Sequence, residues 1–195
     1  GALLAKKART LRDAGLKRVA VSLDGPDAAT HDAFRRVRGS YDWTMKIIQA
    51  VTDLGMSLQI NTTVGRLTYP QLPATLERVR ELPIALWALF FLIPTGRGVA
   101  LDQIDAEECE HALHVLHDLA PTVPFGIKTT EAPHYFRVAS QRRQAEPSGV
   151  EPAAHRRPQV RSHRSVTDGN GFVFIDHVGQ ICPSGFLPMV CGSTR

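Results

Sequence analysis

Three short polar clusters in the sequence carry side chains that can bind a polar ligand. Ser22 and Asp24 lie in a Ser-Leu-Asp-Gly run, where strand alternation places hydroxyl and carboxylate on one face, suited to an amine or a ribose. Asn61, in an Asn-Thr-Thr run, offers both a donor and an acceptor. Arg97, in a Pro-Thr-Gly-Arg-Gly run, can bind a carboxylate through two N–H groups. Each cluster taken alone also fits a plain strand end, a backbone-capping asparagine or an exposed loop.

The sequence around these clusters alternates between strand and helix patterns. Apolar, β-branched runs predict strands at 18–23, 57–64, 87–93 and 125–130, and the segments between them predict helices at 3–14, 30–37, 42–54, 69–82 and 105–119. This alternation implies an α/β fold with parallel strands and right-handed crossovers. Ligands bind where such strands end, so the three clusters are expected at one edge of the sheet.

The predicted sheet is incomplete. Three clear β/α units and part of a fourth are fewer than a closed barrel contains, and the sequence begins within a helix pattern. The continuous apolar run at 87–93 predicts a sheet that is covered on both faces. After residue 165, the sequence from 171 to 182 predicts a small β-hairpin that turns at Val178 and Gly179.

Charge is concentrated in one segment of the chain. The formal net charge is +4, and residues 137–164 hold seven arginines against two glutamates. Low apolar content there predicts a basic, flexible linker over residues 137–165, with an anion-binding patch as the alternative. Few aromatic residues interleave with the arginines, so nucleic-acid binding is not favoured. No apolar run is long enough to span a membrane and no signal peptide is recognisable, which favours a cytoplasmic location.

The cysteines and histidines do not form a recognisable metal motif. Cys109, Cys182 and Cys191 are odd in number, widely spaced and without a CxxC pair, which argues against a disulfide framework or a structural zinc site. The histidines of the HxxHxxH run at 111–117 fall on the helix side that carries acidic residues, opposite the leucines. A solvated helix face is therefore expected there.

Several motifs together resemble a known family. Residues 11–26, ending in Ser-Leu-Asp-Gly-Pro, and residues 31–41, ending in Arg-Gly-Ser-Tyr, are similar to the fourth strand and following loop of radical SAM enzymes with a SPASM-type C-terminal extension. Residues 60–64 and 90–98 resemble the fifth and sixth strands of that family, and the hairpin with Cys182-Pro-Ser-Gly resembles the start of the extension. The resemblance covers about residues 3–135 well.

The resemblance implies a fold, a set of cofactors and a set of site residues. It implies a partial (β/α)₆ barrel over residues 1–136, made of about the last three β/α units, and a truncated SPASM-like extension over residues 166–195. It implies that Ser22, Asp24 and Asn61 help bind S-adenosylmethionine, and that Arg97 lies near its carboxylate or the substrate. A [4Fe–4S] cluster, reduced by an electron donor, would generate a 5′-deoxyadenosyl radical. Cys182 and, more weakly, Cys191 become candidate ligands of an auxiliary iron–sulfur cluster, with ordinary thiols as the alternative.

One departure from the family limits these expectations. The CxxxCxxC cluster motif does not occur, and the three cysteines are separated by 73 and 9 residues. About 90 residues, or three units of roughly 30 residues, are expected upstream. The chain alone is therefore expected to be inactive, as part of an enzyme that modifies peptides or tetrapyrrole precursors. A non-catalytic remnant and a basic binding module remain the alternatives, and the sequence identifies neither a catalytic residue nor a substrate.

Overall fold

The protein is described here from a computed structural model, which covers residues 2–94, 103–145, 173–185, 187 and 189–194. It divides into two compact units, residues 1–161 and residues 162–195. The elements of the first unit are, in chain order, α1 (Ala2–Asp13), β1 (Arg18–Ser22), α2 (Ala28–Arg35), α3 (Ser40–Asp53), β2 (Ser57–Val64), α4 (Leu72–Arg80), β3 (Leu86–Phe91), α5 (Ala106–Leu119), β4 (Gly126–Thr130) and α6 (Tyr135–Ala145).

The four strands form one parallel sheet in the order β1-β2-β3-β4. Each strand is followed by at least one helix, as parallel pairing requires. The predicted α/β class and the predicted parallel pairing are confirmed. All four strands end at the same edge of the sheet, because they share one direction.

One face of this sheet carries the hydrophobic core. Along β2 every second residue is buried, from Leu58 to Val64, and these positions pair across the sheet with Val19 and Val21 of β1 and with Trp87 of β3. Apolar residues from α3, α4, α5 and α6 pack against them. The other face presents partly exposed side chains from β2 and β4. The expected burial of both faces is therefore wrong for β2, whose sequence alternates between apolar and polar residues.

The helices begin where side chains satisfy their free N–H groups. Asp27 caps α2 by accepting a 2.8 Å hydrogen bond from the Thr30 N–H, and Asp105 and Glu108 form a reciprocal capping box at the start of α5. The longest helices, α3 and α5, have 14 residues each. Within the described part of the chain, no helix has the length and apolar character that a membrane crossing requires.

Helix α6 changes the predicted boundary of the basic linker. It continues to Ala145, so the first nine residues of the segment predicted as flexible are helical. Tyr135 and Val138 bury its apolar side, while Arg137 and Arg142 make ion pairs with Glu110 and Asp118 of α5. Tertiary contacts with α5 thus stabilise a helix whose own sequence is too polar to predict one. Residues 146–165 of the predicted linker lie outside the described residues.

The second unit contains a small antiparallel sheet of β5 (Phe174–Ile175), β6 (Gln180–Cys182) and β7 (Gly192–Ser193). The predicted hairpin is confirmed. Asp176 accepts hydrogen bonds from the N–H groups of Val178 and Gln180, and Gly179 adopts a φ of +86°, a conformation that glycine accommodates without strain. Strand β7 was not predicted, because a two-residue strand leaves no pattern in the sequence.

Candidate functional site

The face of the parallel sheet opposite the core is called the open face here. One residue from each strand lies in register across it, in the order Ser22, Asn61, Ala88 and Lys128. A second row, closer to the strand ends, contains Thr63, Phe90 and Thr130. These strand positions hold hydroxyl, amide and ammonium groups but no carboxylate, so the face combines neutral hydrogen-bonding groups with positive charge.

Ser22 and Asn61 are direct neighbours on this face, and both are half-buried. The Asn61 side-chain oxygen accepts a 2.7 Å hydrogen bond from the amide nitrogen of Gln59. Among the described residues, neither the Asn61 amide nitrogen nor the Ser22 hydroxyl has a protein partner. A cavity of about 470 Å³ beside β1 includes Ser22 in its wall. The Ser22 hydroxyl and the Asn61 amide nitrogen are therefore two neighbouring polar groups without a partner among the described residues.

The Asp24 carboxylate is placed differently, since its oxygens are already bonded within the protein. It is fully buried. One oxygen accepts a 2.7 Å hydrogen bond from the Thr63 N–H of β2. The other accepts a 2.6 Å hydrogen bond from Nε of Arg35 on α2 and lies 2.5 Å from its Nη2. Asp24 therefore fastens the end of β1 to the end of β2 and to α2.

His31 holds the backbone of the same residue from the other side. Its Nδ1 accepts a 3.0 Å hydrogen bond from the Asp24 N–H, and the ring is 1% exposed. Burial lowers the pKa of His31 below its usual range, against the opposing effect of the Asp24 charge. The bond itself requires an unprotonated Nδ1. The imidazole is therefore held neutral at the junction between β1 and α2.

Tight packing around Gly25 brings α2 against the strand end. A Cβ on Gly25 would lie 2.6 Å from the Thr30 Cβ, so no larger residue fits without displacing the helix. Downstream, the Asp32 carboxylate accepts hydrogen bonds from the N–H groups of Gly39 and Tyr41 and from the Ser40 hydroxyl. The hydrogen bond from the Tyr41 N–H contributes most to lowering the pKa of Asp32. The Arg-Gly-Ser-Tyr segment thus folds back onto α2 and fixes the loop.

Sequence reasoning identified Ser22, Asp24 and Asn61 but missed their partners. His31 and Arg35 are four residues apart on α2, so they share a helix face, and that spacing was the available signal. Once β4 is recognised as a strand, its alternation predicts that Lys128 lies on the open face. Arg97, the fourth predicted site residue, lies outside the described residues.

Comparison with known proteins identifies the segment that builds this site. Residues 1–79, which include β1, β2 and the loop between them, match the sequence model of the family described as the Radical SAM superfamily. Over this segment, which is less than half of its length, the chain is similar to the radical SAM superfamily. The radical SAM match contains Ser22, Asp24 and Asn61 and ends before β3.

Two curated relatives match almost the whole chain. An AdoMet-dependent heme synthase of Nitratidesulfovibrio vulgaris is 38% identical over 190 residues, which are 96% of this chain and 51% of the relative. An AdoMet-dependent heme synthase of Methanosarcina barkeri is 35% identical over 185 residues, which are 95% of this chain and 52% of the relative. The chain therefore spans about half the length of the curated relatives it matches.

A solved structure supports the fold assignment. The crystal structure of Streptococcus suis SuiB bound to precursor peptide SuiA aligns with a TM-score of 0.54 at 15% identity, over 86% of this chain and 36% of that chain. At this identity the likeness establishes the fold alone. The predicted α/β fold of the parallel sheet and its helices is thereby confirmed.

The radical SAM cofactors can be tested against the side chains present. S-adenosylmethionine carries ribose hydroxyls, an amine and a carboxylate, and the free groups of Ser22 and Asn61 suit the first two of these. An iron–sulfur cluster needs thiolates or similar ligands. Within the described ranges, no group of three or more His, Cys, Asp or Glu side chains is arranged to hold a metal ion. The open face thus fits the organic cofactor and does not supply a cluster site.

The two candidate cluster cysteines lie at neighbouring strands of the second unit, since Cys182 ends β6 and Cys191 directly precedes β7. Ile181 pairs with Gly192, and its oxygen accepts a 2.8 Å hydrogen bond from the Cys191 N–H. Cys182 is 5% exposed, while Cys191 is exposed. Both thiols are free. The antiparallel sheet therefore holds the backbone of Cys191 beside Ile181, the residue before Cys182.

The histidines of α5 do not converge on one point. His111 contacts the Tyr69 hydroxyl, His114 contacts Glu110 and Arg142, and His117 contacts the Tyr135 hydroxyl. His111 is exposed and the other two are half-exposed. The HxxHxxH run belongs to a hydrated helix face that also connects α5 to α6, and it is separate from the open face of the sheet.

Proposed function

We propose that this chain forms the cofactor-binding and substrate-facing part of a radical SAM enzyme that modifies a tetrapyrrole. The observation that carries the proposal is the adjacent Ser22 hydroxyl and Asn61 amide nitrogen on the open face, which have no partner among the described residues and lie inside the segment that matches the family. The tetrapyrrole class is favoured because relatives at 38% and 35% identity, over almost the whole chain, are AdoMet-dependent heme synthases. An enzyme of this kind is proposed to act in the cytoplasm, where free cysteines persist.

Ser22 and Asn61 are proposed to contact S-adenosylmethionine directly. When bound beside a reduced [4Fe–4S] cluster, this cofactor supplies the 5′-deoxyadenosyl radical that removes a hydrogen atom from the substrate. The Asn61 amide would orient the ribose through donor and acceptor atoms, and Ser22 would bond the amine or a second hydroxyl. Arg97 is proposed to bind the cofactor carboxylate or the substrate.

Asp24 is proposed to act mainly by positioning. Its carboxylate is committed to Arg35 and to the Thr63 N–H, so little of its capacity to accept hydrogen bonds remains for a ligand. It fixes the ends of β1 and β2, and with them the spacing between Ser22 and Asn61. Loss of Asp24 is therefore expected to weaken cofactor binding through displacement of both neighbours.

Cys182 and Cys191 are proposed as two ligands of an auxiliary iron–sulfur cluster. The support is their place on neighbouring strands of one small sheet, where the Cys191 N–H bonds to Ile181, the residue before Cys182; thiolates are the usual ligands of such clusters. Replacing both by serine is expected to lower the iron and sulfide content of the anaerobically reconstituted protein, while Cys109→Ser leaves it unchanged. Equal iron content in all three proteins would exclude this role.

The proposed function is tested by the fate of S-adenosylmethionine. The intact, reconstituted protein is mixed with the cofactor and dithionite under anaerobic conditions, with or without an iron porphyrin that carries propionate groups. The expected result is 5′-deoxyadenosine formation that increases when the porphyrin is present. Stimulation by a peptide instead would move the assignment to peptide modification. No cofactor binding at all would support the non-catalytic remnant.

A further inference from the structure

Lys128 stands out as an unpaired cation on the open face. It is half-buried in the middle of β4, yet it makes no hydrogen bond or ion pair with any described residue. Its strand neighbour Ile127 is 1% exposed and belongs to the core, so alternation directs Lys128 to the opposite face. Partly burying an ammonium without an acidic partner costs free energy, which a bound anion would offset.

The surroundings of Lys128 are apolar on the adjacent strand. Ala88 pairs directly with Lys128, while Leu86 and Phe90 flank Ala88 on the same face of β3. Such diagonal neighbours lie about 7–8 Å apart, within reach of an aromatic or a long side chain. Ala88 carries only a methyl group, so no long side chain intervenes between the Asn61 amide and the Lys128 ammonium.

These features divide the open face into two halves. The β1–β2 half holds Ser22 and Asn61, which are the polar groups proposed to contact the cofactor. The β3–β4 half combines the apolar residues Leu86 and Phe90 with the charge of Lys128. Strands lie about 4.8 Å apart, so Asn61 and Lys128 are separated by about 10 Å at the backbone. The two halves therefore lie side by side on the same face of the sheet.

We propose that the β3–β4 half of the open face binds the substrate, and that Lys128 binds one of its carboxylates while Leu86 and Phe90 support its apolar ring. This inference rests on the proposed function and extends it, since it assigns the substrate class as a flat, apolar molecule with carboxylates at its periphery. An ammonium bonds a carboxylate as a compact point charge and discriminates against the uncharged ester. Lys128 is thus a specificity-determining residue rather than a catalytic one.

Metal-free protoporphyrin IX is the probe for this assignment, because it has a planar apolar ring with two carboxylates and no iron for histidines to ligate. Its dimethyl ester has the same ring without the charges. Binding of each to the intact protein is followed by porphyrin fluorescence, without S-adenosylmethionine. Lys128→Met is expected to weaken binding of the acid by about 10- to 100-fold, the range of a charge-assisted hydrogen bond, and to leave binding of the ester unchanged.

Two control variants separate specific binding from general effects. Lys128→Arg retains the charge and should keep binding of the acid within about threefold of the wild type. Lys46→Met removes an exposed lysine from α3 and should have no effect. The proposal is overturned if Lys128→Met binds the acid as tightly as the wild type, or if acid and ester weaken equally. It is also overturned if the wild type does not bind the acid, and in that case the cofactor assignment to Ser22 and Asn61, which is measured separately, still stands.

Discussion

The two faces of the four-stranded sheet contrast most clearly along β2. Leu58, Ile60 and Val64 point into the core and are at most 1% exposed, while Gln59 and Asn61 between them remain half-buried on the open face. The core face gains stability from apolar burial, whereas on the open face Gln59 and Asn61 bond to each other and the Asn61 amide nitrogen has no partner among the described residues. Neighbouring residues can therefore be replaced to affect either stability or binding.

The largest expected difference between the faces is in stability, and β3 offers a matched pair. Trp87 is 1% exposed on the core face and donates a 2.8 Å hydrogen bond to Thr62, whereas Phe90 lies half-buried on the open face. Trp87→Ala should lower the free energy of unfolding by about 3–5 kcal/mol, and Phe90→Ala by less than half of that. Urea denaturation measures both, and equal losses would contradict the division into two faces.

Asp24 fastens the end of β1 to β2 and to α2, and its replacement should show an intermediate effect. Asp24→Asn leaves Arg35 without its carboxylate partner and weakens the bond to the Thr63 N–H. Breaking a buried ion pair lowers the free energy of unfolding by about 3–5 kcal/mol. Because a third of the Arg35 side chain is exposed, we expect Asp24→Asn to lower it by about 2 kcal/mol. Asp53→Asn, at the exposed end of α3, is the control and should cost less than about 0.5 kcal/mol. Equal melting temperatures would show that the Asp24 contacts contribute little.

A smaller effect is expected from the protonation of His31. Its folded-state pKa lies below the value of about 6.5 in the unfolded chain, so the unfolded state takes up a proton first as the pH falls. The contribution of neutral His31 to the free energy of unfolding is therefore fully present above about pH 6.5. It decreases at lower pH, by at most about 1.4 kcal/mol per pH unit. The urea midpoint of His31→Asn should fall less between pH 7.5 and 5.5 than that of the wild type. If the urea midpoints of the two proteins fell equally over this pH range, His31 would not contribute to the pH dependence of stability.

The sequence predicted the sheet well because its signals are local. All four strands lie within two residues of the predicted bounds. The common edge at which the strands end followed from the prediction that they are parallel. Local patterns are sufficient for these features, because strand period and strand direction determine them.

The missed features depend on contacts between distant residues. Asp24 was expected to face a ligand, but its carboxylate bonds to Arg35, 11 residues away, and to Thr63, 39 residues away. Helix α6 was predicted as linker, because its own sequence is polar and its ion pairs involve α5. Lys128 was not singled out, because the strand that presents it was only a weak prediction.

The central claim is that the open face, and not the core face, binds S-adenosylmethionine. Two adjacent residues of β2 test it directly, by calorimetric titration of the cofactor into the intact protein. Asn61→Ala should lower affinity more than tenfold and change the free energy of unfolding by less than about 1 kcal/mol, since its only described side-chain bond is to Gln59. Ile60→Val should cost about 1 kcal/mol of stability and leave affinity unchanged. Unchanged affinity in Asn61→Ala, or an equal loss in both variants, would contradict the account.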